Sequence, residues 1–179
     1  NMKQIMLAVH LYSDDNDNRL PWNNWNNMVS DGAGWLYFFN PALAGPARFV
    51  ANSNLLWSII RNTNSYRCPL DFKNIPLVSV RAQQISSYCM NGAVGGYQHF
   101  GNNGGVPART YRVQQFRSGQ NVILWEQDES FAPAGSFNDA SNSPDESIST
   151  RHGIAAQIAS LDGTAEAMKL PDWTAISGS

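Results

Sequence analysis

The stretch Ala156-Gln157-Ile158-Ala159-Ser160-Leu161-Asp162-Gly163-Thr164-Ala165-Glu166-Ala167-Met168 sets two β-prone runs on either side of an Asp-Gly dipeptide. Asp-Gly in this setting signals a hairpin, because a two-residue type I′ turn needs positive φ at both central residues. The reading is a two-residue hairpin, with Asp162 and Gly163 as its structural residues, and so an antiparallel sheet near the C-terminus. Residues 65–68, 85–90, 111–116 and 121–125 are further short β-prone runs separated by Gly, Pro and Asn clusters, and they extend the expected sheet toward the middle of the chain.

The opposite end has a different period. Met2, Ile5, Met6, Val9 and Tyr12 recur at spacings of three and four, which predicts an amphipathic helix from residue 2 to about residue 13. Leu7 and Leu11 fall on the other side of that wheel, a second apolar strip that one core does not easily cover. Either a neighbouring molecule or the chain's own residues 21–50 would have to cover it. The run Ser13-Asp14-Asp15-Asn16-Asp17-Asn18, followed by Pro21, stops the helix. The expected fold is therefore α+β: one domain over residues 1–179, with an N-terminal helix packed on a C-terminal antiparallel sheet. Within it, residues 1–14 form the helical stem, 15–64 aromatic and Asn-rich loops with a short helix, and 65–170 the sheet and its long loops.

Composition narrows the function classes. Charged residues make up 15% of the 179-residue chain, against about 25% in ordinary soluble domains. The formal net charge is −2, and no Lys/Arg cluster offers a footprint for nucleic acid or an anionic lipid surface. No stretch reaches the ~20 apolar residues of a membrane span, and residues 5–9 fall far short. The opening Asn-Met-Lys-Gln is already inside the helical pattern, so a longer precursor is expected to supply what precedes it.

Residues 21–39 interleave Trp22, Trp25, Trp35, Tyr37 and two phenylalanines with asparagines. Trp faces beside Asn side chains would suit a carbohydrate platform, but aromatic rings with about 150–250 Å² each to bury more often form core or anchor a loop. Asn52 or Ser53 is placed to cap a second helix with Leu55, Leu56, Ile59 and Ile60 as its buried stripe, ending near Arg61 and Asn62. The glycines of residues 92–105 come without the Lys-Ser/Thr of a phosphate loop and read as a surface loop.

Cys68 and Cys89 match no Cys/His zinc spacing, and His10, His99 and His152 stand apart, so no structural zinc is expected from spacing. The two cysteines read equally as one disulfide or as two buried thiols. His152 with Asp162 would make half of a catalytic triad. No nucleophile elbow accompanies the pair, and the turn already uses Asp162. His152 therefore reads as structural, its ring nitrogens tied to nearby backbone, and the chain as a non-enzyme without a cofactor. Asp128, Glu129, Asp139, Asp145 and Glu146 lie in an acidic loop over residues 128–150 that lacks a calcium-loop pattern. A solvated loop is the default reading there and Ca²⁺ the alternative.

Taken in order, several segments resemble the bacterial prepilin-like proteins, including the pseudopilins of type II secretion. Asn1-Met2-Lys3-Gln4-Ile5, then Ala8, His10, Tyr12, Asp15-Asn16 and Pro21, is similar to the family's helix exit. Arg67-Cys68-Pro69-Leu70-Asp71 is similar to its C-P-x-D segment, and Ser87-Tyr88-Cys89-Met90-Asn91 to its S-Y-x-x-N segment. His152, nine residues from Gly153 to Leu161, and Asp162-Gly163 resemble its closing signature. Ile154-Ala155-Ala156 replaces the usual Gly-rich run, and Thr164 stands where the hairpin often has His, so nothing is implied for a second histidine. The resemblance implies a pilin-like fold and a structural subunit of a pilus-like or pseudopilus assembly. Its partners would be other pilin-like subunits, met through the N-terminal helix, and secretion-system components. The globular part would stand in the periplasm or at the cell surface, held to the inner membrane only by a segment preceding Asn1. A Gly-Phe-Thr-like processing site and about 20 apolar residues are the expected upstream sequence, and reading the codons before Asn1 checks this.

Overall fold

The computed structural model describes residues 1–24, 32–71, 81–97, 109–128 and 140–177. Helix α1 spans Met2–Asp15 and buries Met2, Ile5, Met6 and Val9 of the predicted stripe together with Ala8, while Tyr12, its last member, is only partly buried against the same core. Met2, Ile5, Met6 and Val9 each contribute about 1.5–3 kcal/mol of gross transfer free energy. The helix ends where the Asn/Asp run begins: the Asn16 side-chain amide donates to Tyr12 O at 2.7 Å, and Asp17 and Asn18 take positive φ of 54° and 58°. Short polar side chains tolerate that left-handed backbone better than others.

After α1 come the two-residue strands β1 (Phe38–Phe39) and β2 (Phe49–Val50), which pair antiparallel, and the single-turn helix α2 (Trp57–Ile60). The main sheet holds β3 (Tyr88–Asn91), β4 (Val122–Glu126), β5 (Ser141–Asn142), β6 (Ala155–Ser160) and β7 (Ala165–Lys169), in the order β5-β3-β4-β6-β7. Every pairing is antiparallel except β5 on β3. Helix α3 (Leu170–Ser177) closes the described chain.

The sheet is covered on both faces. Tyr88, Met90, Leu124 and Ala159 join the α1 stripe in one core. Cys89, Trp125, Ala156 and Ile158 point the other way, packed with Ile148 and with Trp173 of α3, whose ring centroid lies 5.1 Å from that of Trp125. Neither α3 nor the short β5, which falls inside the expected acidic loop, was legible in the hydrophobic pattern.

Several local expectations are corrected. The hairpin loop has three residues, not two: Gly163 N–H donates to Ser160 O at 2.9 Å, and only Gly163, at φ +85°, is left-handed. This is a type I turn followed by a glycine bulge. Residues 65–68 and 111–116 are not strands but carry the 3₁₀ turns Thr63–Tyr66 and Val113–Gln115. Local side chains outcompete the ladder there: Asn62 Oδ1 accepts from Asn64 N at 3.0 Å and Gln115 Oε1 from Arg112 N at 2.7 Å. Neither Asn52 nor Ser53 caps α2: its N-cap residue is Leu56, with no side-chain cap bond, Asn54 Oδ1 accepts from Leu56 N at 2.8 Å just ahead of the helix, and Ile59 is exposed. Leu7 and Leu11 stay 61% and 44% exposed, so no described residue of the 21–50 segment covers them.

Gly163→Ala should lower stability by about 1 kcal/mol, the cost of a left-handed alanine, because a Cβ there meets nothing within 4 Å. A thermal melt should fall by about 2–4 °C. Gly34→Ala should cost more, since its Cβ would collide with the Asn24 amide that accepts from Leu36 N and donates to Tyr37 O. Equal melting temperatures for both variants and the wild type would contradict the turn assignment.

Candidate functional site

Cys68-Pro69-Leu70-Asp71 forms a β-turn in which Asp71 N–H donates to Cys68 O at 2.9 Å. Proline at the second position pre-sets the backbone for such a turn. The turn brings the Cys68 thiol and the Asp71 carboxylate into one region. Ser87, just before β3, holds both ends: its Oγ accepts from Cys68 N at 2.9 Å and donates to Asp71 Oδ2 at 2.5 Å.

Asp71 also takes a bidentate fork from Arg81, at 2.7 and 2.8 Å, with Arg151 Nη2 3.7 Å away. Burial would raise this carboxyl, but the Arg81 fork, the Ser87 hydroxyl and the Arg151 charge outweigh it and hold Asp71 below the usual carboxylate range.

Glu126 ends β4 opposite Tyr88 of β3, its side chain 0% exposed. Its Oε2 accepts from Gln157 N at 2.9 Å, and Arg151 Nη1 lies 3.7 Å from Oε1. His152 stands in the turn that opens β6, where its backbone N–H donates to Ala155 O at 3.1 Å. Its Nε2 lies 3.3 Å from Glu126 Oε1 and 3.1 Å from Oε2, and 3.5 Å from Cys68 Sγ. Burial and the adjacent Glu126 push the Cys68 thiol up to about 11, so at neutral pH it is a protonated thiol and no ready nucleophile. Burial, with Cys68 and Glu126 beside it, also raises the Tyr88 hydroxyl.

The structure thus gathers residues from three segments singled out in the sequence, Cys68 and Asp71, Ser87 and Tyr88, and His152, around Glu126, Arg81 and Arg151. Sequence reasoning passed over those last three as site residues. The one available signal was Glu126 itself, a carboxylate directly after the apolar run Val122-Ile123-Leu124-Trp125. His152 takes Glu126 as its carboxylate partner, not Asp162, which sits on the exposed hairpin turn and accepts from Thr164 N at 2.9 Å. The ring nitrogen facing the cluster meets side chains, not backbone as expected.

Cys68 and Cys89 are free thiols. They belong to opposite faces of the sheet: Cys68 lies in the α1-side core and Cys89 in the α3-side core, where its Sγ donates to Trp125 O at 3.5 Å. A disulfide would have to cross the sheet.

Those acidic-loop candidates that are among the described residues do not assemble into a metal-ligating group. Among the described residues the one group of three metal-ligating side chains is Cys68, Glu126 and His152. Asp128, Asp145 and Glu146 form no such group, while Glu129 and Asp139 lie outside the described residues, as does His99. Trp35 is 0% exposed and donates from Nε1 to Ala140 O at 3.0 Å. It is core and not a sugar platform. Trp22 is half-buried and Trp25 lies outside the described residues.

Set beside models of known protein families, curated proteins and solved structures, the chain matches none.

Removing Arg81 should leave Asp71 with the Ser87 hydroxyl and the more distant Arg151 charge, so Arg81→Ala should cost about 3 kcal/mol, the lower end for breaking a buried pair. Asp71's depressed pKa gives stability that is present above the unfolded value of about 3.9 and is lost as pH falls through the folded pKa. Denaturant melts at neutral and acid pH should therefore show a smaller acid-induced loss for Asp71→Asn than for the wild type, from a lower neutral-pH starting point. An identical acid loss in both proteins would contradict this assignment.

Proposed function

We propose that this chain is the globular part of a pilin-like structural subunit, working without catalysis in a pilus-like or type II secretion pseudopilus assembly of the bacterial envelope. The observation that carries the reading is the two-faced α1. One strip of this helix is buried on the sheet, while Leu7 and Leu11 stand exposed on the other side. A helix shared between its own sheet and a neighbouring subunit needs such a pattern, and a helix serving one monomer does not. The antiparallel-rich sheet behind it and the segments resembling prepilin-like proteins support the same reading.

The described residues contain no helix long and apolar enough to cross a membrane. In this reading the anchor is the continuation of α1 ahead of Asn1.

A photo-crosslinking amino acid at Leu7 or Leu11 of the full-length precursor, expressed in its host, should give adducts at multiples of the subunit mass. The same probe at Tyr97, exposed but remote in sequence from α1, should give few. Leu7→Asp should abolish the ladder while shifting the stability of the isolated domain by no more than about 0.5 kcal/mol, as exposed substitutions do. Monomer only from both α1 positions would overturn the proposal.

A further inference from the structure

We propose that Cys68 Sγ, His152 Nε2 and Glu126 Oε1 together form a binding site for one Zn²⁺ ion. The three side chains come from a turn, the end of a strand and the entry to another strand, and their ligand atoms all lie within 4.8 Å of one another.

The spacing suits the ion. A tetrahedral Zn²⁺ with a thiolate at about 2.3 Å and an imidazole nitrogen at about 2.0 Å separates those two donors by about 3.5 Å, and nitrogen from carboxylate oxygen by about 3.3 Å. The observed separations are 3.5 Å for Nε2 to Sγ and 3.3 Å for Nε2 to Oε1. The second carboxylate oxygen is held by the Gln157 N–H at 2.9 Å, the kind of outer hydrogen bond that fixes a ligating carboxylate.

The charges suit it as well. One thiolate and one carboxylate match the two positive charges of the ion, while Arg151, 3.7 Å from Glu126 Oε1, is left to Asp71, whose Oδ1 also lies 3.7 Å away. On binding, the Cys68 S–H bond breaks, its proton leaves to solvent, and the sulfur lone pair forms the bond to zinc, with no change in oxidation state. Access is through His152, whose side chain is 26% exposed while Glu126 is closed off. A cavity bordered by Asn1, Lys3, Cys68, Pro69, Tyr88 and His152 meets the cluster from that side. Two of the three ligands, Cys68 and His152, line this cavity, which leaves a fourth position on that side for water.

This site stands on local geometry and not on the filament reading, and its test uses the isolated chain. The full 179-residue protein, stripped with a chelator, is titrated with Co²⁺, whose spectrum reports coordination, and then with Zn²⁺. One equivalent of Co²⁺ should give the intense visible bands of a tetrahedral ion and a near-ultraviolet thiolate charge-transfer band, both erased by Zn²⁺. Cys89→Ser should keep the charge-transfer band and Cys68→Ser should lose it. Glu126→Gln and His152→Gln should each weaken binding at least tenfold. Because the chain has two cysteines, the Cys89→Ser arm identifies the thiolate even if Cys68→Ser does not fold. The absence of a stoichiometric band in the wild type would overturn the proposal. So would loss of the charge-transfer band in folded Cys89→Ser, or a band that survives in Cys68→Ser and marks an adventitious ion only.

Discussion

The alternation of β4 from Leu124 onward, after an irregularity that leaves Ile123 in the same core as Leu124, is the constraint on which the rest depends. Leu124 and Glu126 face α1, while Trp125 faces α3. A slip of one residue would exchange these faces, sending an indole into the helix-side core and a carboxylate among tryptophans. Because α1 closes one face and α3 with Ile148 the other, each side chain of β4 must be satisfied inside the protein. For Leu124 and Trp125 that means packing; for Glu126 it means hydrogen-bond donors.

That requirement organises the polar cluster. A carboxylate 0% exposed gives up its water and must recover the loss from the protein. Gln157 supplies a backbone N–H, and His152 and Arg151 supply side chains. Arg151 then links Glu126 to Asp71, which Arg81 and Ser87 already hold. The turn at residues 68–71, the lead into β3, the end of β4 and the entry to β6 are tied by this one network. Asn1 adds the start of α1, its side-chain amide donating to Arg67 O at 2.5 Å.

The same packing explains why Cys68 and Cys89 differ in chemistry although both are buried thiols. Cys89 sits in an apolar core, its Sγ against the β4 backbone. Cys68 lies at the border of the α1 core, where a carboxylate and an imidazole converge on its sulfur. The first turn of α1 borders this cluster, and its second and third turns carry the outward Leu7 and Leu11. The chain therefore places this polar cluster at one end of the helix whose outer strip the assembly reading uses.

The sequence by itself determined the elements with strong local signals. The 3,4 spacing of Met2, Ile5, Met6 and Val9 specifies α1, the Asn/Asp run specifies its end, and Asp162-Gly163 marks the closing hairpin. These rest on side-chain period and backbone freedom, which neighbouring residues alone decide. The loop length of that hairpin and the 3₁₀ turns at residues 63–66 and 113–115 were decided by side-chain hydrogen bonds that periodicity does not record. The candidate site lay further still from view. His152 was legible as a residue of interest, but its partners stand 26 and 84 positions away, and neither spacing follows a ligand motif. Only the pairing of β3, β4 and β6 beneath α1 brings Cys68, Glu126 and His152 together, because strand register, and not sequence distance, sets which buried polar groups meet.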